Sequence, residues 1–149
     1  MVNVVVGIVE KEGKILLIQR ERGDFIGLWG IPGGKVEECE HIDKAVEREM
    51  LEEIGTKSSF KEVIGLATEI MHDKNSTSII YVCSLTLDEN GVIKNPEFRY
   101  RWFSIEEIIK SSDIIESDKV FIEKFYINKS KEYLKLDCYK DNNGNYYWK

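Results

Sequence analysis

What most constrains this chain is a stretch where a glycine-rich segment gives way to a helix whose carboxylates lie on the face meant for the core. From His41 to Ile54 the apolar residues Ile42, Ala45, Val46, Met50 and Ile54 recur at helical spacing, and Gly55 stands where a left-handed C-cap belongs. Glu49, Glu52 and Glu53 occupy positions i, i+3 and i+4 of that helix, so their side chains share one surface of its last two turns. At about 100° per residue, Glu49 and Glu53 fall in the sector of Ile42, Ala45 and Val46, which the first turns bury. A Glu-rich helix face in water is the ordinary alternative, and the shared azimuth argues against it. Like charges drawn toward a core call for a cation. Hard oxygen ligands of this kind suit Mg²⁺ or Mn²⁺, which retain water and bridge to phosphates.

Composition narrows the classes. With 42% hydrophobic and 32% charged residues over 149 positions, the chain reads as a single globular domain, 1–149, and not as a disordered or fibrous one. The long apolar run Val2 to Val9 is far short of the ~20 residues a membrane helix needs. The opening Met-Val-Asn-Val lacks the basic region and cleavage site of a signal peptide, so a cytoplasmic protein with no membrane partner is expected. Cys39, Cys83 and Cys138 are too scattered for a zinc site and read as free thiols. The 21 basic against 27 acidic residues give a net charge of −6, which opposes binding to duplex nucleic acid. A polyphosphate substrate would need metal ions to meet such a chain.

Along the sequence, Val2 to Glu10 and Ile15 to Arg20, joined by Lys-Glu-Gly-Lys, predict an opening β-hairpin. Gly23 to Gly34 predicts a loop, because Ile31-Pro32-Gly33-Gly34 suits neither a helix nor a central strand. After the central helix, strands are expected at Phe60 to Ile70, Thr77 to Leu87 and Phe98 to Phe103, with a turn at Asp88-Glu89-Asn90-Gly91. Ser104 and Glu107 have the spacing of a capping box opening a short helix, and Asp118 to Tyr126 suggests another. Tyr133 to Tyr139 and Asn145 to Trp148 flank Asp-Asn-Asn-Gly and predict a final hairpin.

Around the acidic helix the residues form a spaced pattern. Gly34 is followed after five residues by Glu40, after seven more by Arg48-Glu49, then by apolar Met50, Glu52-Glu53 and Gly55. Arg48 lies beside Glu49 and four residues before Glu52, where it can hold a carboxylate through paired hydrogen bonds. This pattern resembles the Nudix box, spanning 34–56, and all seven invariant positions are present. At about one in fifteen per position, near typical residue usage, coincidence would arise about once in ~10⁸ placements. The last position, usually aliphatic, is Thr56, which lies past the cap and is expected to affect packing slightly. Leu28-Trp29-Gly-Ile-Pro-Gly-Gly and Arg101-Trp102-Phe103-Ser104 with Glu106-Glu107 also look like the family, up to about Ile109. The hairpin extension, about 131–149, lies outside the resemblance.

The resemblance implies an α/β/α sandwich around a mixed β-sheet, to which the residues themselves add the C-terminal hairpin. It also implies a Mg²⁺- or Mn²⁺-dependent pyrophosphohydrolase that cleaves a nucleoside diphosphate linked to another moiety. By similarity, Glu49 and Glu53 are the principal metal ligands and Glu52 is a third ligand or the general base. Arg48 orients Glu49, Glu40 is a partner within the motif, and the Gly33 carbonyl completes a metal shell. Glu97, after Pro96, is the candidate for a further carboxylate ligand, with an exposed turn residue as its plain reading. Arg20, Lys35 and Gly34 are candidates for contacting substrate phosphates. Phe25, Trp29, Tyr81, Tyr100 and Trp102 are available to stack on a base, although strand aromatics more often fill cores.

The proline and tyrosine that mark ADP-ribose and dinucleoside polyphosphate subfamilies beyond the box are absent, which favours a nucleoside triphosphate, oxidised ones included, cleaved to monophosphate and pyrophosphate. ADP-ribose or dinucleoside polyphosphate hydrolysis, and a nucleotide sensor that does not cleave, are the alternatives carried forward. A small-molecule nucleotide is the expected partner, and the choice between monomer and homodimer stays open.

Overall fold

The computed structural model describes residues 1–88 and 99–149. The predicted opening hairpin is β1 (Val2–Lys11) and β2 (Lys14–Gln19), turned by Glu12 and Gly13, both at positive φ. Residues 23–34, expected to be loop throughout, contain two short strands, β3 (Trp29–Gly30) and β4 (Gly33–Lys35). β4 pairs antiparallel with β1, Val5 opposite Gly34. Such pairing is open to this segment because it has no side chain to clear. A Cβ on Gly33 would overlap the carbonyl oxygen of Val5.

The central helix α1 (Ile42–Ile54) ends as its sequence predicts, with Gly55 at φ 71° as a left-handed cap whose N–H donates to the carbonyl of Leu51. Strands β5 (Ser58–Met71) and β6 (Ser76–Leu87) follow as a long antiparallel pair. Next come β7 (Tyr100–Ser104), α2 (Ile105–Lys110), α3 (Glu116–Phe121), a π-helical turn at Ile122–Ile127, and the hairpin β8 (Leu134–Lys140) and β9 (Tyr146–Trp148). The capping box is present in both directions: Ser104 accepts from the Glu107 N–H, and Glu107 accepts from the Ser104 N–H. Of the predicted turn at 88–91 only Asp88 is described, and the start of the expected strand at Phe98 and the candidate ligand Glu97 lie outside the described residues.

The sheet runs β3-β2-β1-β6-β5-β8-β9, with β4 added to β1 and β7 to β2. It is mixed, since β1 with β6 and β5 with β8 are parallel and the other pairs antiparallel. Alternation along β1 and β2 sends side chains to two layers. Val5, Val9, Leu16 and Ile18 meet Ala45, Val46, Met50 and Ile54 of α1. Val6, Ile8, Ile15 and Leu17 pack on the other face with Ile108, Ile114, Phe121, Ile122 and Phe125. Each fully buried side chain of this size is worth about 1.5–3 kcal/mol, so the two layers clamp the sheet from both sides. Gly7 lets α1 approach closely, because a Cβ there would run into Leu85 and Met50. The architecture is an α/β sandwich. No helix among the described residues is long and apolar enough to cross a membrane.

Two expectations change. Thr56 does not merely follow the cap: it is buried, taking the place an aliphatic residue would fill. The final hairpin is not an appendage, because β8 pairs in parallel with β5 from Ala67 to Met71 and so continues the main sheet.

Candidate active site

Docking α1 on β1 and β4 carries its acidic surface to the edge of the glycine strand. Gly34 makes this possible, since a Cβ there would coincide with the Glu49 carboxyl. Glu49, Glu52, Glu53, Gly33 and Gly34 line a cleft of about 730 Å³ together with Ile18, Gln19, Arg20, Glu21 and Arg22. The carboxylates there outnumber the guanidinium groups, four to two, so the cleft is acidic.

Arg48 stands behind the cleft and joins its parts. Its Nε and Nη2 donate to the two oxygens of Glu40 at 2.8 and 3.0 Å, its Nη1 donates to Glu49 Oε1 at 2.9 Å, and its Nη2 also donates to the Lys35 carbonyl at 3.0 Å. Glu40 thus receives the fork of the guanidinium and Glu49 a single arm. The Arg48 bonds, helped by the Glu37 N–H, hold the Glu40 carboxyl down at about 2. Glu52 receives the longer contacts from Nη1, at 3.3 and 3.4 Å, and keeps a 58% exposed side chain at the rim.

Glu53 is the group that least fits a plain structural role. Its Oε2 is buried without a hydrogen-bond partner. Burial, with the neighbouring Glu49 charge, pushes its carboxyl up to about 8, against the pull of a hydrogen bond from the Gly33 backbone. Glu49 is raised as well, by burial, even though Arg48 opposes it. A buried carboxyl oxygen left without a partner, beside a second carboxyl, offers the hard oxygen ligands that a divalent cation takes. Among the described residues no group of three or more His, Cys, Asp or Glu side chains could hold an ion by itself.

The structure therefore brings together Glu49, Glu52, Glu53, Gly33, Gly34 and Arg20, with Arg48 and Glu40 bracing them. Lys35 is apart: its exposed side chain does not line the cleft, and only its carbonyl takes part, through Arg48. Arg22 and Glu21 line the cleft unforeseen, although the charged run after β2 was a signal that could have found them.

A second pocket of about 180 Å³ adjoins the first, sharing Arg20, Gly33 and Gly34. Its walls include Val4, Ile80, Phe25, Glu69 and Asp118. Asp118 Oδ2 accepts from the Ile31 N–H at 2.9 Å, and burial lifts its carboxyl to about 7. Glu69 is raised for the same reason. Of the five aromatics considered for base stacking, only Phe25 reaches this pocket. Trp29 packs edge-on against Phe103, Tyr81 and Trp102 pack on the α1 layer, and Tyr100 is exposed on β7.

Fold and cleft define an α/β sandwich with a carboxylate-lined site beside a glycine strand. The NUDIX domain model matches residues 1–125, and the chain belongs to the Nudix family. An ADP-ribose pyrophosphatase of Methanocaldococcus jannaschii is 39% identical over 78 residues, covering 51% of this chain and 46% of that protein, so the match spans about half of that relative's length. The nucleoside triphosphatase NudI of Escherichia coli is 31% identical over 119 residues, covering 72% of this chain and 84% of that protein. The crystal structure of a MutT protein from Methanosarcina mazei Go1 superposes with a TM-score of 0.73 at 25% identity, over 87% of this chain and 96% of that one.

Proposed function

We propose that this chain hydrolyses a nucleoside triphosphate to the monophosphate and pyrophosphate, using Mg²⁺ or Mn²⁺ held by Glu53 and Glu49 with the help of Glu52 and the Gly33 carbonyl. The observation that carries the reading is the buried, unpartnered Oε2 of Glu53 beside Glu49. When bound, the cation supplies Lewis acidity to phosphoryl oxygens and acidifies a coordinated water.

The chain's own residues account for the rest. Arg48 fixes the Glu49 carboxylate in one orientation, so the ligand pair does not reorganise when substrate arrives. Arg20 and Arg22 meet the phosphate chain from the opposite wall, with Arg20 tied down by its Nε donating to the Asp24 carbonyl at 2.9 Å. Glu52 is the glutamate with solvent access, which suits it to take the proton of the attacking water. The neighbouring pocket, with Phe25 as a flat wall and two carboxyls, takes the base.

The similarity to a nucleoside triphosphatase over 84% of that protein's length supports the choice of substrate class. The test is a screen of the purified chain with Mg²⁺ or Mn²⁺ against nucleoside triphosphates, oxidised dGTP, ADP-ribose and diadenosine polyphosphates, with products separated by chromatography. Preferential release of monophosphate and pyrophosphate from a triphosphate is expected. Preferential cleavage of ADP-ribose would move the substrate class, and nucleotide binding without cleavage would make the chain a sensor.

A further inference from the structure

The hairpin β8–β9 begins beyond residue 125, where the match to the family model stops, yet it reaches back to the second pocket. Trp148 Nε1 donates to Glu69 Oε2 at 2.9 Å, and its ring stacks on Phe25 with centroids 5.7 Å apart and planes 25° apart. Tyr146 contacts the same Phe25 ring at 4.9 Å, and its hydroxyl donates to Asp24 at 3.3 Å and Asp73 at 3.2 Å. Lys74, in the β5–β6 turn, pairs with Asp24. Phe25 itself sits at φ 64°, a left-handed conformation that a bulky residue adopts only when its surroundings impose it. The turn is closed by the Leu28 N–H donating to the Phe25 carbonyl, and the hairpin packs on the ring that the turn presents. Two walls of the pocket, the Phe25 ring and the Glu69 carboxylate, are therefore set by residues 146 and 148.

The carboxyls lining this pocket are Glu69 and Asp118, each with one oxygen engaged by an N–H of the protein, and Arg20, Ser78 and Ser117 line it with them. Much of the remaining lining is aliphatic, including Val4, Val6, Ile80 and Ile115. A ring inserted here meets one free carboxyl oxygen of Glu69 and one of Asp118, which accept when ionised. An exocyclic amino group satisfies them, whereas the edge of uracil offers a single N–H between two carbonyl oxygens that would face carboxylate lone pairs.

We propose that the terminal hairpin is a specificity element: Trp148 is a positioning residue that aims Glu69, and with it the second pocket selects nucleobases bearing an amino group. This rests on the nucleotide reading above and names the base class of that same site.

The test is calorimetric titration of the full chain, with Mg²⁺, by the non-hydrolysable α,β-methylene triphosphates of cytidine, adenosine, guanosine and uridine, beside chromatographic assay of the natural triphosphates. The tightest analogue should carry an amino group and bind at least about tenfold more tightly than the uridine analogue, the scale of one charge-assisted hydrogen bond. Trp148→Phe keeps the ring against Phe25 and removes the donor. It should lower that ratio to about threefold or less. Glu69→Gln, which leaves the hairpin intact, should lower it equally, and the double variant should add nothing further. The inference is overturned if the wild type does not discriminate, or if Trp148→Phe, shown folded by thermal melting, discriminates as the wild type does. If that variant does not fold, a ratio unchanged in Glu69→Gln overturns the inference and a lowered one supports it. Discrimination in binding with no triphosphate cleaved would sink the catalytic reading and leave this one standing. Cleavage without discrimination would do the reverse.

Discussion

The two pockets share a wall and are built on opposite principles. The acidic cleft takes three of its four carboxylates from one helix and its backbone wall from the adjacent glycine strand, so half of its lining is encoded between residues 33 and 53. The second pocket gathers Val4, Phe25, Glu69, Ser78 and Asp118 from five separate stretches, with Trp148 behind them. The acidity also differs. Behind the cleft, a guanidinium holds Glu40 strongly ionised, while within it burial raises Glu53 and leaves its Oε2 without a partner. In the second pocket the carboxyls receive neutral N–H donors and are raised by burial. A compact motif supplies charge for a cation, and dispersed residues supply shape and acceptors for a base.

The largest effect is expected at the cation pair. Glu53→Gln removes a metal-ligating carboxylate and should lower kcat by about 100-fold or more, while the melting temperature of the metal-free protein at neutral pH holds, because burial already keeps the Glu53 carboxyl largely neutral there. Turnover equal to wild type in steady-state assay would place the chemistry elsewhere. Arg48→Lys keeps the charge and loses the fork to Glu40, so a fall of about 10- to 100-fold in activity or metal affinity is expected, the usual range for residues that orient a ligand. Metal titration followed by kinetics would check it, and a neutral outcome would reduce Arg48 to a surface ion pair.

The pH dependence of stability has opposite signs at Glu40 and at Asp118, with the raised Glu53 of the cleft acting in the direction of Asp118. Glu40 is depressed in the folded chain, so its contribution is present above the usual carboxylate range near 4.5 and is lost as pH falls toward about 2. Asp118 is raised, so its contribution is full below about 3.8 and is lost as pH rises through about 7. Denaturant unfolding of the metal-free protein between pH 5 and 8 should therefore show stability declining through that window, and Asp118→Asn should flatten the decline. Identical slopes for variant and wild type would remove Asp118 from the account. The smallest effect is expected for Lys35→Ala: within about 0.5 kcal/mol in stability and about twofold in kcat/KM, since its side chain lies away from the cleft. A large loss of phosphate affinity there would return Lys35 to the site.

Local chemistry made much of the cleft legible. The spacing of Glu49, Glu52 and Glu53, the glycine pair and the cap at Gly55 each follow from the geometry of a single helix and the turn before it. Lys35 was misleading because adjacency in sequence says nothing about which side of a short strand a long side chain takes. Glu69 and Asp118 gave no signal at all. Each is an ordinary carboxylate in an ordinary strand or helix until the sheet and the α3 layer bring them to one cavity.

The sequence by itself determined the helix with its misplaced carboxylates, the glycine pair before it and the family to which both belong, because these depend on contacts within a few turns of chain. Only the tertiary structure decided that Arg48 serves Glu40 first, that Glu53 keeps a buried oxygen without a partner, and that the last hairpin closes on the second pocket. Those outcomes depend on burial and on pairs far apart in the chain, such as Glu69 with Trp148, and a linear pattern of residue types carries neither.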